Sequence, residues 1–166
     1  MRRPLLISAV ALAAILSPVT PAQASPSPEA LVTHCTHLAG SSPRAVMFAE
    51  LQCARKMSGL PALRPFKPIG GVATRWSSHL AQTHTIGHNP NRAAQVTQVD
   101  PRWQLLGEIV GASQLGTGDV DRIVASWFRS SVHRHVILNP SLRVVGIGIE
   151  PGGGWSWATC DFVDAS

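Results

Sequence analysis

A chain of 166 residues is sized for one domain with a single hydrophobic core. Its 14 basic and 9 acidic side chains give a net charge of +5, a mild excess in which Lys and Arg form no cluster and Lys56 and Lys67 are the only lysines. That balance argues against nucleic acid as a partner.

The first 24 residues read as a secretory signal. Arg2 and Arg3 precede an apolar run, Leu5 to Leu16, and Ala22-Gln23-Ala24 has the small-x-small form of a cleavage site. The run is too short for a comfortable membrane span, and no later stretch matches it, so no transmembrane segment is expected after cleavage near Ala24. Residues 25–42 open on Ser-Pro-Ser-Pro and read as a flexible lead. Within it Cys35 stands between His34 and His37. That grouping hints at metal, but a surface segment carrying one bridged cysteine fits it better.

Ser42-Pro43 reads as a helix cap followed by proline in the first turn. Phe48, Leu51 and Arg55 then follow at helical spacing, and Gly59 closes the segment near Met57. Pro61 to Pro68 is an irregular crossing. A second helix is expected from near Gly71, with Val72, Ala73, Trp76, Leu80 and Ala81 on one apolar face and Gly87 as its stop. His79 and His84 lie on or near it as solvated side chains. Asn89 to Pro101 reads as loop. Trp103 to Gly111 resumes an apolar pattern broken by Glu108. Asp119 can cap a third helix with Val120, Ile123, Val124, Trp127 and Phe128 on one face.

Ser130 to His135 is a polar turn between two apolar anchors, Trp127-Phe128 and Val136-Ile137-Leu138. After Pro140 the period becomes two, and Gly152-Gly153-Gly154 supplies a hairpin turn. Trp157, Thr159 and Asp161 share one face of the last strand, and Ala158, Cys160 and Phe162 share the other. The order of elements gives an α+β fold, with helices covering a small antiparallel sheet. Cys53 falls off the Phe48-Leu51-Arg55 face and Cys160 is in phase with packed residues. The expected pairing is therefore Cys35 with Cys53, leaving Cys160 a buried thiol in an exported chain.

Three polar residues stand out. His88 follows a helix stop, Glu108 is a lone acid among apolar neighbours, and His133 lies in the polar turn. Two imidazoles and a carboxylate from separate segments can bind a divalent metal or act as acid and base. His135 reads as a surface residue, and Arg134 as the partner of a nearby carboxylate.

These residues carry a resemblance to the CAP domain, the fold of cysteine-rich secretory proteins, antigen 5 and pathogenesis-related proteins, in its short bacterial branch. Leu51-Gln52-Cys53-Ala54-Arg55 with Gly59 is similar to the family's first-helix pattern, with Gln52 at its Asn. Ala73 to His88 resembles the helix that ends in the cleft histidine. Gly107-Glu108-Ile109 resembles Gly-Glu-Asn with Ile109 replacing Asn, and Trp127 to Leu138 resembles the segment that carries the second cleft histidine, with Ser131, Val132 and Val136 as departures. Val145-Gly146-Ile147-Gly148 matches the family's Val-Gly-x-Gly strand.

The resemblance runs from about Pro43 to Val163, which makes 43–166 the CAP domain. It implies a three-layer α-β-α sandwich with His88, Glu108 and His133 lining a central cleft. Ser130 stands where larger members carry a second cleft glutamate. Three functions follow from the resemblance. The first is a secreted binding module whose cleft holds Zn²⁺ or another divalent cation at His88, His133 and Glu108, and whose apolar surface takes a lipid or partner protein. The second is a metal-assisted hydrolase acting on peptide or cell-wall material, for which no nucleophile is apparent, since Ser130 and Ser131 only neighbour His133 in sequence. The third is an interaction protein with a vestigial cleft. Glu108 could serve either as a ligand or as a structural acceptor.

Overall fold

The computed structural model describes residues 25–164; the expected signal segment, 1–24, lies outside them. Two helices open the described chain, α1 (Pro28–Cys35) and α2 (Pro43–Met57). Each begins on a serine followed by proline. Ser27 Oγ accepts from the Ala30 N–H at 3.1 Å, and Ser42 Oγ accepts from the Ala45 N–H at 3.2 Å. The flexible lead expected over 25–42 is thus helical at its centre. The Ser-Pro signal at 27–28 is the same one that marks α2, and it places Leu31 and Cys35, four apart, on a buried face. The Cys35–Cys53 disulfide joins α1 to α2 with its Cα atoms 5.4 Å apart, and Cys160 is the free, buried thiol.

After α2 the chain crosses back. Gln52 clamps the crossing by donating to the Leu63 carbonyl at 2.9 Å and accepting from the Leu63 N–H at 2.8 Å. A two-residue strand, β1 (Arg64–Pro65), leads into α3 (Lys67–Thr83). That helix starts four residues before Gly71, because Pro68 fits its first turn and Ile69 is already buried, so Gly70 and Gly71 lie inside it. It ends on His84 in the left-handed conformation, φ 52°, and not at Gly87. The loop expected over 89–101 holds another helix, α4 (Arg92–Val99). Val96 is its only fully buried residue, too thin a stripe to read from sequence.

Next come β2 (Leu106–Gln114), α5 (Asp119–Arg129), α6 (Ser131–Ile137), β3 (Leu142–Gly152) and β4 (Trp155–Asp164). Gly118 rather than Asp119 occupies the cap of α5. The polar turn expected at Ser130 to His135 is helical instead. Arg134 donates to the Phe128 carbonyl at 2.6 Å, closing the end of α5 and not pairing with a carboxylate.

The sheet has the order β1-β3-β4-β2. The antiparallel part expected is β3-β4-β2, and β1 adds a parallel strand outside β3. Both sheet faces are covered. On one side Leu31, Leu51, Ile123, Trp127 and Phe128 from α1, α2 and α5 pack on Val145, Ile147, Cys160 and Phe162. On the other, α3 and α4 bring Ile69, Val72 and Val96 against Val144 and Val163. Gly146 and Gly148 let α3 lie directly on β3, since a Cβ at either would run into the helix backbone. The result is a three-layer α-β-α arrangement in which the alternating faces of β4 meet two different helix layers.

Candidate functional site

β2 is the last strand of the sheet, and the sequence-derived residues gather beside it. Glu108 faces the α3 layer with its side chain 1% exposed. Its Oε1 accepts from the Asn89 N–H at 2.9 Å and lies 2.7 Å from Nδ1 of His88. One carboxylate oxygen thus fixes both the loop after α3 and the orientation of an imidazole. The loop is pinned further. Trp76 donates its indole N–H to the Gly87 carbonyl at 2.9 Å, and the Asn91 N–H donates to Asn89 Oδ1 at 3.0 Å. His88 itself is 56% exposed, so its remaining ring nitrogen is free of the protein.

His133 enters from α6. Its Nδ1 is buried and has no protein partner, and its ring lies 6.5 Å from that of Trp127. The Trp127 indole is itself fixed by donating to the Val110 carbonyl of β2 at 2.9 Å. Burial first, and then neighbouring His88, hold the His133 imidazole below its ordinary pKa, so it is neutral at neutral pH. His135 is exposed on the same helix.

Sequence reading placed Asp161 on a strand face but missed its place in this site. Asp161 is the register partner of Glu108 across β2 and β4, so the two carboxyls share a face. Asp161 is fully buried, and neither of its oxygens has a hydrogen-bond partner. Burial, and secondarily the Glu108 charge, push its pKa up to about 8, with Arg92 opposing. It is therefore a neutral acid beside an acceptor at neutral pH. The signal available was an acid in the middle of a strand whose every neighbour is buried.

Among the described residues no three His, Cys, Asp or Glu side chains stand together as a group that could hold a metal. Glu108 spends Oε1 on His88 and Asn89, while its buried Oε2 has no protein partner. His88 is turned outward by its carboxylate, and His133 carries an orphaned, buried nitrogen. Cys160 offers no nucleophile: burial first, and then Asp161, push its thiol well up. Cys35 is bridged, and His37 pairs with Asp121 at 2.7 Å, so the His34-Cys35-His37 grouping does not converge.

The sequence profile of the cysteine-rich secretory protein family, CAP, matches residues 50–162. Comparison with curated proteins finds no match. Solved structures similar in fold include three bacterial proteins. An outer surface protein of Borrelia burgdorferi superposes with a TM-score of 0.67 at 17% identity, over 78% of this chain and 97% of that one. An extracellular protein of Bacillus anthracis containing an SCP domain gives 0.62 at 20% identity, over 74% of this chain and 40% of its own. A cysteine-rich secretory protein of Staphylococcus aureus gives 0.59 at 18% identity, over 74% and 38%. This chain spans about two fifths of the latter two.

Proposed function

The chain belongs to the cysteine-rich secretory protein (CAP) family, and on that premise we propose that it is an exported ligand-binding module whose cleft holds one divalent cation between His88 and His133. The observation that carries the reading is the 2.7 Å contact of His88 Nδ1 with buried Glu108. A carboxylate behind an imidazole fixes the tautomer and turns the other nitrogen toward a metal, the usual support of a metal-ligating histidine. Imidazole donors suit Zn²⁺, and two of them leave coordination positions for water or an external ligand. Asp161 and Ser130 add no third ligand, one being buried behind Glu108 and the other lacking a carboxylate.

Exposed apolar residues stand close in sequence to both histidines. Ile86, two residues before His88, is 53% exposed, and Val132, next to His133, is 72% exposed. That pairing supports a lipid or another partly apolar ligand at the cleft. Organic extraction of the purified protein, followed by mass spectrometry, tests it: an extract empty of lipid removes that part of the reading. Turnover of a peptide library with and without chelator tests the hydrolase alternative.

Calorimetry with Zn²⁺ tests the cation site. Heat is expected at pH 7.5 and is expected to fade at pH 5.5, because binding needs neutral imidazoles and an ordinary imidazole titrates near 6.5. His88→Ala and His133→Ala should each abolish binding, and Glu108→Gln should weaken it by about 10- to 100-fold. Absence of heat at pH 7.5, or heat that survives both histidine substitutions, removes the site.

A further inference from the structure

The cleft lies at the β2 edge of the sheet, and the opposite edge is built differently. β1 pairs with β3 only through Arg64 with Val144 and Pro65 with Val145. The Phe66 N–H donates to the Val145 carbonyl at 3.0 Å, and the chain then leaves the sheet for α3. Backbone groups alternate sides along a strand, so the N–H and C=O of Ile147 point the same way as the Val145 carbonyl, away from β4. No protein group pairs with them among the described residues. Beyond Pro65 the sheet is one strand narrower than the helix layers on its two faces. The gap is a groove of about 700 Å³ between α2 and α3, floored by Val145, Gly146 and Ile147. That volume falls within the range of ligand sites.

Gly70 and Gly71 form the α3 wall of the groove. A glycine inside a helix costs roughly 1 kcal/mol relative to alanine. At Gly146 glycine is forced, because a Cβ would strike the backbone of α3. At Gly70 and Gly71 it is not, since a Cβ would meet nothing nearer than 3.9 Å and 3.6 Å. Neither has a positive φ. Packing gives no reason for two unfavourable residues here, whereas an open groove does. Ala45 and Phe48 stand on the α2 wall, Arg44 and Lys67 at the rim, and no acidic residue lines the space. The Arg44 guanidinium reaches across from α2, donating to Thr74 Oγ1 of α3 at 3.3 Å.

We propose that this groove takes an extended peptide segment of a partner protein, added to β3 as the next strand, with acidic side chains set against Arg44 and Lys67. The N–H and C=O of Ile147 call for main-chain partners, which strand addition supplies. An aliphatic chain would leave both unpaired. Alternate side chains of the added strand face Ala45 and Phe48 on one side and the space kept by Gly70 and Gly71 on the other.

The test uses two fluorescein-labelled heptapeptides, one alternating valine with glutamate and one alternating valine with lysine, titrated by anisotropy. The glutamate peptide is expected to bind about tenfold tighter or better, and to slow hydrogen exchange at the Ile147 amide. N-methylation of one phase of alternate amides should abolish binding, while the other phase is tolerated. A Cβ at Gly71 meets only the end of the Arg75 side chain, at 3.6 Å, so Gly71→Leu should lose the peptide while its urea midpoint stays at or above the parent value. Arg44→Glu combined with Lys67→Glu should reverse the preference. Equal affinity for both peptides, indifference to N-methylation of either phase, or unslowed exchange at Ile147 overturns the proposal. So does saturable binding of cis-parinaric acid that Gly71→Leu abolishes while neither peptide binds, which would make the groove a lipid site. The zinc titration reads the other edge of the sheet, and its outcome has no bearing on this one.

Discussion

Arg55 is wholly buried, and its guanidinium holds together segments far apart in sequence. Nε donates to the Pro61 carbonyl at 2.9 Å, and Nη1 donates to the carbonyls of Ile137 at 2.8 Å and Asn139 at 2.9 Å. The last two lie at and just beyond the end of α6, the helix that carries His133. Arg55→Met should lower the unfolding free energy by about 3 kcal/mol, because three inward-facing carbonyls lose a charged donor together. Arg55→Lys should recover little of it, since one ammonium cannot span the same fork. Urea unfolding checks both, and a midpoint unchanged in Arg55→Met removes the role assigned to this side chain. The residue's position was legible in the sequence, because helical spacing sets Arg55 on the face of Phe48 and Leu51. Its partners Ile137 and Asn139 were not, since they lie 82 and 84 residues away. Glu108 and His88 were legible as an isolated acid and a post-helix histidine, and their 2.7 Å contact depends on how the α3–α4 loop folds back over β2. Asp161 escaped because a single acid on a strand carries no sign of what lies opposite in register.

At the scale of elements, the helices that sequence reading recovered are those with a broad apolar face. α5 buries six of its side chains, and its stripe of Val120, Ile123, Val124, Trp127 and Phe128 is plain in the sequence. α4 buries one and reads as loop. α1 is eight residues long, below the length at which a helix is stable alone, so its order comes from docking. Leu31 and Cys35 pack into the main core, and the disulfide fastens the end of α1 to the middle of α2. Cys53→Ser should therefore cost about 3 kcal/mol, the loop-closure value for a bridge between residues 18 apart in sequence. The loss should concentrate in α1. Amide exchange in residues 28–35 should rise toward that of an unfolded peptide, while β3 and β4 keep their protection. Uniform loosening of the whole chain in this variant would mean that α1 and the sheet unfold as one unit.

For the molecule as a whole, two buried acids set an unusual dependence of stability on pH. Glu50 is fully buried in α2. Burial first, and then Asp121 of α5, push its pKa from 4.5 up to about 8, while the backbone of Leu38 and His37 pulls the other way. Asp121 in turn holds the exposed His37 imidazole at 2.7 Å. Asp161, on the far side of the core, is also raised to about 8. In both cases the folded chain keeps a proton that the unfolded chain releases near its ordinary carboxyl pKa. The stability they contribute is full below about pH 4 and is lost as pH rises toward 8. His133 acts in the opposite direction. Its folded pKa is lowered, so its contribution is complete above 6.5 and is lost as pH falls through the folded value. Between pH 6.5 and 8 the two acids titrate without it, and the unfolding free energy should fall on the order of 3 kcal/mol across that window. Urea unfolding at pH 6.5, 7.5 and 8.5 measures the slope. Glu50→Gln, neutral at every pH and close in shape, should flatten it visibly while leaving the zinc titration at the cleft unchanged. A slope identical in the variant and the parent chain would show that Glu50 is ionised in the folded protein.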